Sequence, residues 1–319
     1  METVRVTADK IRKLEVQGAR NVAIAAIKSV EAWANETKAK TRQALLKEFF
    51  EARNTLFASR ATEPLMRNAM KWILTKVEES KHREVRDLAK VVSSSACEFL
   101  RNLEVSRGYI AEIGAKRIRD GSVVFTHCHS STVTCMLAKA KQNGKKFEVM
   151  CTETRPAFQG RITAKEMIKL GVKTTFIVDS AARSFMKQAD IVFVGADAIT
   201  SEGNIINKIG TATIALVAHE ARVPFYVASE LLKFDPATAC GEYEEIEERS
   251  RNEVWEAAPD KIIVHNPAFE VTRRDFIHGI ICEEGIIPPH SISEVVHRRY
   301  PWIFEHGDNP HNFHNSMEP

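Results

Sequence analysis

The chain has 319 residues, 44% of them apolar and 27% charged, with a formal net charge of +3 at pH 7. Such a composition supports a sizeable core and excludes a disordered chain, and so small a charge gives no reason to expect nucleic acid as a partner. No run approaches the ~20 apolar residues of a membrane span, the charged N-terminus lacks the apolar stretch of a secretory signal, and six cysteines without a C-x-x-C pair are too sparse for a disulfide scaffold, so a cytoplasmic protein is expected.

The first third reads as helical. Residues 20–34 set Val22, Ala26, Val30 and Trp33 on one helical face. Residues 41–59 repeat the pattern with Leu45, Phe49, Ala52 and Leu56, and Pro64 suits the first turn of a third helix. A long, charged helix is expected over 80–103, with Leu88, Val92, Ala96 and Phe99 facing inward. Near Arg119-Asp120-Gly121 the texture changes. Strands are expected at 122–127, 147–152, 174–179, 190–196, 224–229 and 261–266, and helices at about 132–142, 163–170, 181–189, 211–221 and 291–299. This alternation predicts an α/β fold: an N-terminal helical bundle over 1–118, then a Rossmann-like, doubly wound parallel sheet over 119–319 carrying most of the active site. The polar C-terminal tail, with His306, His311 and His314, reads as solvated.

Ligands of open α/β sheets sit beyond the C-terminal strand ends, which directs attention to THCHSS, CTETRPAFQG, GADAI and ASELLKF. Cys128 joins an apolar strand to a helix. A helix dipole and the flanking His127 and His129 would favour its thiolate, whereas the plain alternative is an inert buried thiol. His127 and His129 read as one core and one site histidine, and no third ligand suggests a metal. Asp197 ends the strand IVFVGAD, where apolar surroundings would raise its pKa and suit it to acid–base work; Asp179 ends TTFIVD in the same manner. The segment NKIGTATIA resembles a phosphate cradle, with Gly210 to Thr213 opening a helix and Lys208 as cation. Arg155, Lys233, Arg60 and the Gln17-Gly18-Ala19-Arg20 stretch are further polar groups that could converge there.

The motifs THCHS, ETRPAFQG, VGADAI, NKIGT, NPAFEVT and EEGIIPP together resemble one superfamily across nearly the whole chain. It contains ribose-1,5-bisphosphate isomerase, methylthioribose-1-phosphate isomerase and the regulatory subunits of the exchange factor of initiation factor 2. The resemblance implies a catalytic pair, Cys128 and Asp197, which the translation-factor subunits generally lack. His129, following Cys128, looks like the ribose-bisphosphate enzyme rather than the methylthioribose one. Substrate contacts are implied at Gln17 to Arg20, Arg60, Ser130, Ser131, Thr132, Asn207, Lys208 and Lys233. Three positions depart from the bisphosphate pattern: Gln17 stands for an arginine, Ala61 for a proline, and Ser131 where a lysine can occur. The implied activity is conversion of ribose 1,5-bisphosphate to ribulose 1,5-bisphosphate in AMP salvage, without metal or organic cofactor. A phosphorylated pentose is the implied substrate, a nucleotide a candidate activator, and a homodimer or higher homo-oligomer the implied assembly. The rival readings are a regulatory subunit that binds a nucleotide or sugar phosphate without catalysis, and an isomerase of another phosphopentose.

Overall fold

The computed structural model describes residues 1–60, 62–242 and 246–305; Ala61 and the tail histidines His306, His311 and His314 lie outside the described residues. Five helices come first: α1 (Glu2–Arg12), α2 (Ala19–Glu36), α3 (Arg42–Phe57), α4 (Pro64–Glu79) and α5 (Val85–Arg117). Helix α1 has no counterpart among the expected elements; Val4, Ala8 and Ile11 bury one of its faces. Thr41 starts α3 by accepting a hydrogen bond from the Ala44 N–H at 3.1 Å. Pro64 occupies the first turn of α4, where its missing N–H costs nothing.

The rest of the chain runs β1 (Val123–Thr126), α6 (Ser131–Gln142), β2 (Glu148–Thr152), α7 (Gly160–Lys169), β3 (Lys173–Ile177), α8 (Ala182–Phe185), β4 (Ile191–Val194), β5 (Ala198–Ile199), β6 (Ile205–Lys208), α9 (Thr211–Ala221), β7 (Phe225–Ala228), α10 (Arg251–Val254), β8 (Phe269–Thr272), β9 (Gly279–Cys282), β10 (Gly285–Ile287) and α11 (Ile292–Arg299). Seven strands form one sheet in the order β10-β9-β7-β4-β1-β2-β3, and β5, β6 and β8 form a small second one. The large sheet is parallel except for β10, which pairs antiparallel with β9. A helical N-terminal region followed by a mostly parallel α/β sheet is the architecture expected.

Two of the expected elements are also changed. The run at 261–266 is not a strand: Ile262 and Ile263 are 42% and 84% exposed, so its apolar residues bury nothing against a sheet. Its place is filled by β9, whose four residues are all buried. Helix α5 continues past residue 103 through Gly108 and Gly114. Gly114 has a packing reason, because a Cβ there would lie 1.9 Å from the Met136 Sδ of α6. The glycine therefore lets two helices approach closely instead of ending one.

The strand order reverses between β1 and β4, with β2 and β3 on one side and β7 and β9 on the other. This is the crevice where α/β sheets hold ligands. The two strand exits are drawn together there, since a Cβ on Gly195 would meet the Ser130 Oγ at 2.6 Å. One hydrophobic core joins Trp33, Leu65 and Met66 of the helices to Phe125, Val192 and Phe225 of the sheet. The crevice is thus walled by both regions.

Candidate active site

A cavity of about 390 Å³ opens at this crevice. Its walls include Cys128 from the β1 exit, Asp197 from the β4 exit, Arg60 before α4, and Lys208 and Phe269 from the small sheet. Gln17, Gly18, Ala19, Arg20, Ser130, Ser131, Thr132, Asn207 and Lys233 also line it.

Cys128 is pinned by its backbone. Its φ is 65°, in the left-handed region that non-glycine residues rarely adopt. Its N–H donates to the Thr154 Oγ1 at 2.9 Å, and its carbonyl accepts from the Thr163 Oγ1 at 2.9 Å. His127 is the buried core histidine. Its Nε2 lies 2.9 Å from the Ile209 carbonyl, which can only accept, so Nε2 carries the proton and Nδ1 accepts from the Thr152 hydroxyl at 2.6 Å. Gly210 is required here, because a Cβ would stand 2.8 Å from that Nε2. His129 lines the cavity, with Nδ1 3.2 Å from the Thr163 Oγ1.

These surroundings correct the expectation of a favoured Cys128 thiolate. Burial pushes the thiol up to about 11, and Lys208 is the foremost group pulling the other way. Burial also lowers both His127 and His129, which favours their neutral forms and removes the positive charge they were to lend. Helix α6 begins only at Ser131, after the Ser130 cap, and a helix dipole fades beyond its first turn.

Asp197 does not sit in apolar surroundings. The Arg60 Nη2 approaches its Oδ1 at 3.3 Å, and Lys208 is also within electrostatic reach. Its backbone N–H donates to the Ile206 carbonyl at 2.8 Å, tying the β4 exit to β6. Asp179 is a different case: its carboxylate accepts the N–H groups of Thr154 and Arg155 at 2.8 and 2.7 Å and so shapes the loop after β2.

Cations gather in the cavity around the Phe269 ring. Lys208, Arg60 and Arg249 lie 4.8, 5.3 and 6.0 Å from its centroid. Arg249 is held by Glu247 at 2.9 Å. Burial is the main cause that lowers the Lys208 pKa, with the neighbouring arginines adding to it and Cys128 and Asp197 opposing. Two helices also begin at the cavity wall. Gly18 caps α2 and Ser130 caps α6, so the first-turn N–H groups of Ala19, Arg20, Ser131 and Thr132 have no acceptor within their own helices.

Four expected contributors are placed or engaged otherwise. The start of α9 is already filled, because the Glu270 Oε1 accepts the N–H groups of Gly210 and Ala212 at 2.6 and 2.9 Å. That carboxylate occupies the anion position of the expected phosphate cradle. The Arg20 guanidinium turns away to Glu104 and to Glu230, the latter at 3.2 Å, leaving only backbone for the cavity. Arg155 is not among the lining residues; it donates to the Val254 carbonyl at 3.0 Å and lies over the Phe158 ring. Lys233 lines the cavity but donates to the Ala196 carbonyl at 2.8 Å and pairs with Glu230 at 3.5 Å, bracing the loop that carries Asp197. Burial alone would raise Glu230, yet Lys233 and Arg20 outweigh it and hold the carboxylate below its usual range.

Sequence reasoning missed Arg249, Phe269, Gln159 and Glu63. Phe269 stood in the motif NPAFEVT, the one signal that pointed to it. Among the described residues no group of three or more His, Cys, Asp or Glu is arranged to hold a metal, and no helix is long and apolar enough to cross a membrane.

Residues 15–289 match the initiation factor 2 subunit family. Ribose 1,5-bisphosphate isomerase of Pyrococcus furiosus is 41% identical over 306 residues, covering 94% of each chain. Among solved structures, the translation initiation factor eIF-2B of Pyrococcus horikoshii superposes with a TM-score of 0.79 at 31% identity, covering 91% of this chain and 98% of that one. The 5-methylthioribose 1-phosphate isomerase of the same organism gives 0.77 at 29% identity, over 92% and 88%. A match over most of its length, with relatives this similar across nearly all of it, makes the chain a member of the initiation factor 2 subunit family.

Proposed function

We propose that the protein is an aldose–ketose isomerase that converts ribose 1,5-bisphosphate to ribulose 1,5-bisphosphate, a step in AMP salvage. The observation that carries this reading is a cavity at the sheet's switch point lined by a thiol, a carboxylate and two sets of anion-suited groups, which the reading places at opposite ends. One end offers the cations around Phe269, the other the opening turns of α2 and α6. A bisphosphate has an anion for each.

A phosphate on the anomeric oxygen prevents the sugar ring from opening through a free hydroxyl. The ring oxygen must receive a proton as its bond to C1 breaks, and Asp197 is the group assigned to deliver it. A proton then moves from C2 to C1, and the C2 hydroxyl gives its proton back to Asp197 as the C2 carbonyl forms, so that the aldose becomes the ketose without net gain or loss. Cys128 is assigned that transfer. Its neutral thiol must first give up its proton, which the Asp197 carboxylate takes and then holds as the acid, and Lys208 is the cation that stabilises the resulting thiolate. These proton transfers call for no metal and no organic cofactor.

The test is direct. Purified protein is incubated separately with ribose 1,5-bisphosphate and with methylthioribose 1-phosphate, and ketose is measured. Ribulose 1,5-bisphosphate from the first and little product from the second is the expected result. Turnover of the methylthio compound alone would shift the assignment to that isomerase. Silence with both would favour a regulatory subunit.

A further inference from the structure

Glu63 is a carboxyl group in an unusual position. It stands at the N-cap of α4, yet its side chain accepts no hydrogen bond from the helix and is wholly buried. Both of its oxygens, and the Arg60 Nε beside them, lack hydrogen-bond partners. The gap between the Glu63 Oε2 and that Nε is 3.6 Å, while the far edge of the same guanidinium reaches Asp197 at 3.3 Å. One arginine therefore stands between two carboxyl groups, one facing the cavity and one behind it.

The charged groups around Glu63 are few. Arg60 precedes it on the same loop, and Arg67 follows on α4, paired with Asp235 at 3.4 Å. Asp197 faces it from the β4 exit, and Lys233, already engaged with Glu230 and the Ala196 carbonyl, faces it from the turn after β7. Burial is the largest influence on Glu63 and pushes it up to about 8; Asp197 adds to this, while Arg60, Lys233 and Arg67 oppose it.

We propose that Glu63 is a positioning residue for the substrate anion, acting through Arg60. While Glu63 keeps its proton, the guanidinium is left to Asp197 and to an incoming phosphate. Once the proton is lost, the carboxylate behind Arg60 cancels its charge and draws the guanidinium toward α4. The phosphate end of the cavity then weakens. This inference rests on the sugar-phosphate reading for its physiological meaning, but the coupling of Glu63 to anion binding can be measured without turnover.

Two measurements test it, and sulfate, which does not titrate in the range used, serves as the anion probe. Sulfate affinity and the KM for ribose 1,5-bisphosphate are followed from about pH 7 to about pH 9 in the native protein and in Glu63→Gln, a neutral side chain of the same shape. A group at about 8 whose proton is required for binding predicts a loss of up to tenfold across that range, flattened in Glu63→Gln. Sugar phosphates complete their own ionisation near pH 6, so they add no inflection there. An identical loss in Glu63→Gln would assign the effect to another group, Lys208 foremost, and overturn the proposal. A flat native profile overturns it without any variant. Sulfate binding that follows the prediction in a protein that turns over no phosphopentose would instead defeat the isomerase assignment and leave the Glu63 coupling standing.

Discussion

The protonation of Cys128 decides how the proposed proton transfer must begin, and alkylation reads it directly. Burial raises the thiol from 9.0 to about 11. At pH 8 the thiolate fraction then falls from about one in ten to about one in a thousand, roughly a hundredfold. A more basic thiolate is also a better nucleophile, by about six- to tenfold over two pK units, which offsets part of that loss. The net expectation is alkylation about tenfold slower than for the same cysteine in the unfolded chain, with restricted access slowing it further. Native and denatured protein are treated with iodoacetamide at pH 8, and the Cys128 peptide is followed by mass spectrometry. Lys208→Ala is expected to slow the native reaction again, because it removes the foremost group opposing burial. Labelling in the native protein as fast as in the unfolded chain would refute the burial argument. It would show a thiolate already poised, as the strand-to-helix position of Cys128 first suggested.

Other consequences follow from the site's geometry. Asp197→Asn keeps the shape of the β4 exit, whose backbone is tied to Ile206; turnover is expected to fall by at least ~100-fold with the fold intact, as checked by steady-state kinetics and circular dichroism. Lys208→Ala is expected to raise KM more than it lowers kcat if the cation holds phosphate equally in ground and transition states, and an unchanged KM would remove it from the binding end. Glu270→Ala leaves the Gly210 and Ala212 N–H groups without their acceptor. A loss of about 1–2 kcal/mol in stability is expected in urea unfolding, comparable to deleting a helix cap, and no loss would mean that water replaces the carboxylate at no cost.

The features legible in the sequence were those written in short stretches of chain. Strands β1 and β4 are unbroken apolar runs, and the residues where they end are the ones that reach the crevice. The features that misled depend on partners distant in sequence. The start of α9 has the glycine, threonines and lysine of an anion site, but β6 pairs antiparallel with β8, and that register sets Glu270 beside Asn207 and brings its carboxylate to the α9 amides. Arg20 looked like a free cation at a helix start, until Glu104 and Glu230, 84 and 210 residues away, claimed it. Arg249 carried no local signal, and the motif holding Phe269 did not disclose its role, since three cations around one ring arise only when the small sheet meets the loop before α4. Burial misled in both directions: it left the apolar run at 261–266 on the surface and put Glu63 inside.

In the proposed binding mode, the filled start of α9 also divides the labour between the two ends of the cavity. With those amides taken by Glu270, a bisphosphate bound as proposed would have one phosphate held by side chains near Phe269 and the other by the backbone N–H groups that open α2 and α6. Arg249 belongs to the first end only. Arg249→Ala is therefore expected to weaken one ribose monophosphate inhibitor and spare the other, when ribose 1-phosphate and ribose 5-phosphate are compared. A hydrogen bond to a charged group contributes about 1.5–3 kcal/mol, so the affected inhibitor should lose roughly 10- to 150-fold in affinity. The position of the lost phosphate would then orient the sugar, and with it decide which face of C1 and C2 Cys128 meets. Equal losses for both monophosphates would mean that Arg249 acts through the general potential of the cavity. The two-ended division would then be wrong, even if the isomerase activity is found.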